Sequence, residues 1–130
     1  YSGAISDYTK AIKLNPNHPY AYNNRGYAKN ELKDYSGAIS DYTKAIEINP
    51  KYADAYYNRG NSKDDLEDYE GAISDYSKAI EINPKYARAY LNRGLVNYSI
   101  NRKDYACKDY KSAISLGKKE SILNDLCFKK

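Results

Sequence analysis

The chain has 130 residues, 42% of them hydrophobic, and sets 21 basic against 17 acidic side chains with the signs interspersed. That length suffices for one domain with a modest core, and a net charge of +4 spread in this way excludes the concentrated basic footprint that nucleic acid requires. No apolar run reaches membrane-spanning length, and Cys107, Cys127 and the single His18 form no metal-ligand cluster.

The opening stretch, YSGAISDYTKAIKLNP, predicts a helix that stops at Asn15-Pro16, because proline drives the residue before it out of the α region. Residues 19–33 carry a second helical pattern through Tyr22, Gly26 and Leu32. A short turn at Lys33-Asp34-Tyr35 leads into a third helix, where Ala38, Ile39, Tyr42, Ala45 and Ile46 line one face. It ends at Asn49-Pro50. Shifted by 34 residues, the chain then falls on itself: DYSGAISDYTKAIEINPKYADAYYNRG at 34–60 returns as DYEGAISDYSKAIEINPKYARAYLNRG at 68–94, and ACKDYKSAISLG at 106–117 is a weaker copy. In the last unit Lys103 stands where Tyr35 and Tyr69 stand, and Gly117 replaces the proline stop. Ile122, Leu123, Leu126 and Cys127 then make the apolar stripe of a terminal helix. A helix pair repeated at this period cannot bury its apolar face alone and must stack on its neighbours.

The period and the residues Tyr22, Gly26, Tyr35, Ala38, Tyr42, Ala45 and Pro50, with their equivalents, resemble the tetratricopeptide repeat over nearly the whole chain. The resemblance implies an all-α fold: a right-handed α-solenoid (superhelix) of helix pairs forming a single domain. Its parts would be a half repeat at 1–18, repeats at 19–52, 53–86 and 87–120, and a C-terminal capping helix at 121–130. The lack of Met and the unpaired first helix predict a mature or excised piece cut through a longer array. The uncovered flank of that helix also fits self-association or cover by another molecule.

The stretch AYNNRG (21–26) recurs as AYYNRG (55–60) and AYLNRG (89–94), which places Asn, Arg and Gly three times inside a helix. Gly there costs about 1 kcal/mol against Ala, so Gly26, Gly60 and Gly94 predict close helix approach, with Ala38, Ala72 and Ala106 as partners. Arg25, Arg59 and Arg93 stand where the commonest form of the repeat has Leu, and a guanidinium facing a core needs a carboxylate. Asp41, Asp75 and Asp109 follow sixteen residues later, and Asp7, Asp41 and Asp75 precede by eighteen, so structural ion pairs within or between repeats are both open. Asn24, Asn58 and Asn92 rotate away from the packing face. Because first helices line the concave surface in this family, the resemblance implies an asparagine ladder along a groove, suited to the N–H and C=O groups of an extended peptide.

Twelve of the seventeen tyrosines fall on recurring sites and are read as packing residues. Tyr20, Tyr27, Tyr57, Tyr98 and Tyr105 do not recur, and the first four map to the concave face, together with Asn61, Arg88, Leu91 and Leu95. Amphipathic aromatics in a groove favour peptide contact. A clamp for chain-end carboxylates is not expected, since Asn23, Tyr57 and Leu91 occupy the positions where the family's clamp lysines stand. The expected function is a non-catalytic protein–protein interaction scaffold that binds a peptide in its groove. The alternative is an assembly module that stacks on further repeats, an attached domain or another copy. No cofactor, metal, nucleic-acid or membrane partner is expected, and no Ser, Cys or His has the partners of a catalytic group. Cys107 and Cys127 are read as two free thiols, which would suit a reducing, cytoplasmic compartment.

Overall fold

The computed structural model describes residues 1–117 and Cys127. Among them run seven helices: α1 (Ser2–Leu14), α2 (Pro19–Glu31), α3 (Tyr35–Ile48), α4 (Ala53–Asp65), α5 (Tyr69–Ile82), α6 (Ala87–Ser99) and α7 (Lys103–Ser115). The predicted capping helix at 121–130 lies outside the described residues except for Cys127, which is helical and packs with Leu91 and Tyr98 against Ala106 and Tyr110.

Local chemistry sets the helix ends. Asn15, Asn49 and Asn83, each before a proline, leave the helix in extended conformations. Between the helices of a pair, Lys33, Glu67 and Asn101 adopt φ of 65°, 62° and 66°. In the first such turn the Asp34 N–H donates to the Lys29 carbonyl and the Lys33 N–H to the Asn30 carbonyl, both at 2.9 Å, which satisfies the last carbonyls of α2. The Asp34 carboxylate then accepts from Gly37 N–H at 3.0 Å and caps α3; Asp68 does the same for α5 at 3.1 Å. Arg102 takes this place before α7 and provides no side-chain cap. His18 caps α2 by accepting the Ala21 N–H at Nδ1, and Pro19 follows at the helix start.

Each helix packs on its neighbours in chain order, the arrangement of a solenoid. Tyr42, Tyr76 and Tyr110, with Ala38, Ala72 and Ala106, fill the interior of the three pairs. The glycines permit this, although their chief partner differs from the expected alanine. A Cβ on Gly26, Gly60 or Gly94 would lie 2.8, 2.8 or 2.6 Å from Cε1 of the Tyr42, Tyr76 or Tyr110 ring, and the Ala38 and Ala106 carbonyl oxygens come second at 3.2 Å. The bare helix surface is a seat for a tyrosine ring.

The arginines pair within repeats. Arg25 Nη2 lies 2.7 Å from Asp41 Oδ1, Arg59 Nη2 2.8 Å from Asp75 Oδ1, and Arg93 Nη2 2.7 Å from Asp109 Oδ1, with Nε on the second oxygen each time. The remaining Nη1 reaches back one repeat to a hydroxyl, that of Thr9, Thr43 or Ser77. One guanidinium thus locks a pair internally and ties it to the pair before. The hydrogen bonds to Asp41 and Asp75 hold Arg25 and Arg59 protonated beyond their ordinary range against the opposing cost of burial. Lys29 and Lys63 add an ammonium 3.0 Å from Oδ2 of Asp41 and Asp75; at Asp109 the shorter Asn97 amide stands in, at 3.5 Å.

Two details depart from the template. Tyr76 Oη donates to Asn61, but Tyr110 Oη is buried with no partner among the described residues, because Leu95 occupies the position of Asn61. Tyr110→Phe is therefore expected to be neutral or to stabilise by up to ~1 kcal/mol, whereas Tyr76→Phe removes one of the two donors to Asn61 Oδ1 and costs about 1 kcal/mol. Thermal unfolding of the two variants checks the difference in sign; equal losses would show that both hydroxyls are satisfied. Second, Cys107 and Cys127 are joined by a disulfide with Cα atoms 5.3 Å apart. This corrects the reading of two free thiols, so the cysteines carry no argument for a reducing compartment.

Candidate functional site

The helix contacts set the curvature of the array. α2 approaches α4 and α4 approaches α6, while α3, α5 and α7 make no comparable approach to one another. The first helices therefore lie on the inner, concave side. Their polar side chains form a seam between repeats: Asn58 Nδ2 donates to Asn23 Oδ1 at 3.1 Å, Ser62 Oγ to Asn30 Oδ1 at 2.7 Å, and Asn92 Nδ2 to Tyr57 Oη at 2.9 Å and Asn61 Oδ1 at 3.0 Å. Tyr86 Oη donates to Asp54 at 2.6 Å.

The predicted groove residues separate on this wall. Asn24 is exposed, but Asn58 and Asn92 are half-buried, with one amide N–H of Asn58 and both of Asn92 given to the preceding first helix, so they are not freely open rungs. Their carbonyl Oδ1 atoms accept no hydrogen bond from the described residues. Tyr20 and Tyr27 are 58% and 50% exposed, and Tyr20 meets Tyr52 edge-on. Tyr57, expected to be open, is only 9% exposed. It stacks on Tyr86 with ring centroids 5.0 Å apart, and the Arg88 guanidinium lies 5.3 Å from its centroid and 5.9 Å from that of Tyr86. Leu91 and Tyr98 are half-buried in the cluster around Tyr110, whereas Leu95 stays exposed.

One pocket on this wall, about 270 Å³ in volume, gathers Tyr27, Tyr57, Asn58, Asn61 and Arg88 from three different helices, with Asn30, Glu31 and Tyr42 completing it. Tyr42 belongs to α3 and was read as packing alone; its ring edge reaches the pocket because Gly26 has no side chain. Glu31 was missed, although it lies four residues after Tyr27 on the same helix face. Burial pushes the phenol of Tyr42 well above its ordinary range, so it remains a neutral hydrogen-bonding group. The pocket thus offers aromatic surface, amides and one charge of each sign. Tyr20, Asn24, Leu91, Asn92, Leu95 and Tyr98 lie outside it. Among the described residues no group of His, Cys, Asp and Glu could hold a metal ion, and no helix is long and apolar enough to cross a membrane.

Comparison with known proteins gives one family: its model, described as TPR repeat, matches residues 1–33, 26–63 and 65–101. Solved structures with the same fold include a crystal structure of MamA, at 33% identity and TM-score 0.82, covering 86% of this chain. This chain spans 66% of that MamA chain. The Arabidopsis OM64 TPR domain is 28% identical with TM-score 0.81, covering 85% of this chain and 94% of its own. The first TPR of Spaghetti (RPAP3), solved bound to the HSP90 peptide SRMEEVD, shares the fold at 24% identity and TM-score 0.79, with 85% and 88% coverage. A comparison with curated proteins returned no match.

Proposed function

The chain belongs to the tetratricopeptide-repeat family, and from that premise we propose that it binds an extended peptide segment of a partner protein along its concave wall. A TPR fold supports a protein–protein interaction scaffold, and TPR proteins are generally non-catalytic. The observation that carries the finer reading is the pocket joining Tyr27, Asn61 and Arg88 across α2, α4 and α6. In this reading Tyr27 supplies exposed aromatic area and Arg88, held over two tyrosine faces, meets an acceptor of the guest. The asparagine ladder acts in modified form. Asn24 offers a whole amide, while Asn58, with one N–H committed, and Asn92, with both, offer their carbonyl oxygens to backbone N–H groups of the guest. Tyr20 and Leu95 extend the contact along the wall. Leu91 and Tyr98 lie on the same helix as Arg88 and pack in the Tyr110 cluster.

Peptides selected by display against the protein test this. Tyr27→Ala with Arg88→Ala is expected to weaken the selected peptides by about tenfold or more, as loss of a central aromatic and an Arg anchor does. Both side chains are exposed, so melting should change little. Peptides that bind the double variant as tightly as the parent would reject the concave site.

A second reading, end-to-end assembly, is favoured by α1. Ala4, Tyr8 and Ala11 are half-buried where their counterparts Ala38, Tyr42 and Ala45 are at most 1% exposed, and Asp7 is exposed where Asp41 is ion-paired. A helix with Arg-Gly in register would fit this face. Asp7→Arg should then abolish any concentration-dependent dimerisation seen by sedimentation; unchanged association would remove the reading.

A further inference from the structure

A larger pocket, about 560 Å³, opens on the outer side between α5 and α7, with α6 as its floor. We propose that it binds a carboxylate side chain of an acidic peptide segment, independently of the concave site. The array supplies its own control. Asn97, Arg102, Tyr105 and Lys108 line this pocket where Lys63, Asp68, Gly71 and Ser74 stand one repeat earlier. There Lys63 reaches across to Asp75 at 3.0 Å and occupies the space. The shorter Asn97 leaves the space open. Charge changes as well. In the earlier repeat Arg59 and Lys63 balance Asp68 and Asp75; here Arg93, Arg102 and Lys108 face Asp109 and the Glu70 paired with Arg102, an excess of one positive charge.

The donors are of two kinds. Arg93 spends three of its five N–H groups on Asp109 and Ser77, which fixes the guanidinium and leaves two donors. Lys108 is exposed and makes no ion pair with the described residues. Arg102 pairs with Glu70, but both are exposed, so exchange for an incoming carboxylate costs little. Tyr105, 65% exposed, offers an aromatic rim suited to a peptide. Glu70, paired with Arg102 at the pocket's edge, opposes a continuous phosphate backbone.

The test is an amide-resolved NMR titration of the protein with hexaglutamate, using hexaglutamine as the neutral control. The expected result is saturable shifts at Ser77, Asn97, Tyr105 and Lys108 with hexaglutamate only. Affinity should fall about tenfold in Lys108→Ser and in Arg102→Asp. Asn97→Lys, which restores the residue of the other repeats, should also abolish binding while the protein stays folded; Tyr27→Ala should not affect it. Arg102 is exposed and provides no side-chain cap to α7, so a loss in Arg102→Asp is not unfolding. Equal shifts with hexaglutamine, shifts spread over surface lysines, or no response to Lys108→Ser would overturn the proposal. Tighter binding of a single-stranded oligonucleotide with the same footprint would overturn it in favour of a polyphosphate ligand.

Discussion

Arg93→Ala is expected to destabilise the protein by about 3–5 kcal/mol, and Arg59→Ala by less, because removing one partner strands a buried carboxylate. Asp75 and Asp109 are equally inaccessible, with side chains 5% and 6% exposed. They differ in what remains after the arginine is gone. Asp75 keeps the Lys63 ammonium at 3.0 Å, whereas Asp109 keeps, among the described residues, the Asn97 amide at 3.5 Å. Each arginine also ties its pair to the previous repeat through a hydroxyl, so the loss should spread to the junction. Hydrogen-exchange protection across α5, α6 and α7 measures it, since a repeat array does not unfold as one unit. Replacing Asp109 with Ala in the Arg93→Ala background should recover part of the loss by removing the stranded charge. If Arg93→Ala costs no more than Arg59→Ala, the secondary lysine contributes nothing and the comparison fails.

The second large effect is steric. Gly60→Ala gains up to ~1 kcal/mol of helix propensity, yet its Cβ would sit 2.8 Å from Tyr76 Cε1. The Tyr76 ring is fully buried and cannot move aside without opening the pair. Overpacking of about 1–3 kcal/mol should win, and Gly94→Ala, at 2.6 Å from Tyr110, should be worse. Gly3→Ala is the control: nothing lies within 4 Å of its Cβ position, so only the propensity gain remains. Melting temperatures should therefore fall for Gly60 and rise for Gly3. A rise at both sites would mean the tyrosine seat is not tight.

Much of this architecture was legible because the chain states it three times. The 34-residue shift located the helix pairs, Asn-Pro marked where second helices stop, and the Arg, Asp and Gly registers announced a recurring contact. What the registers left open was geometry. Asp at sixteen residues after and at eighteen before each Arg are equally regular, and only the antiparallel packing of α2 on α3 selects the first. Periodicity gave Tyr57 the right face but not its burial, which is produced by Tyr86 and Arg88 arriving from the next repeat. Likewise, helical spacing turns Asn58 and Asn92 toward the wall without revealing that the preceding helix brings Asn23 and Tyr57 within bonding distance. The Cys107–Cys127 bond, twenty residues apart in sequence, has no local signature.

The most direct test of the recognition account is a footprint. Amide shifts, mapped while a display-selected peptide is titrated into the labelled protein, should centre on Asn24, Tyr27, Asn61 and Arg88 and vanish in the Tyr27→Ala, Arg88→Ala variant. A footprint confined to Ala4, Asp7 and Tyr8 of α1, with the concave wall silent, would contradict the account and leave assembly as the function.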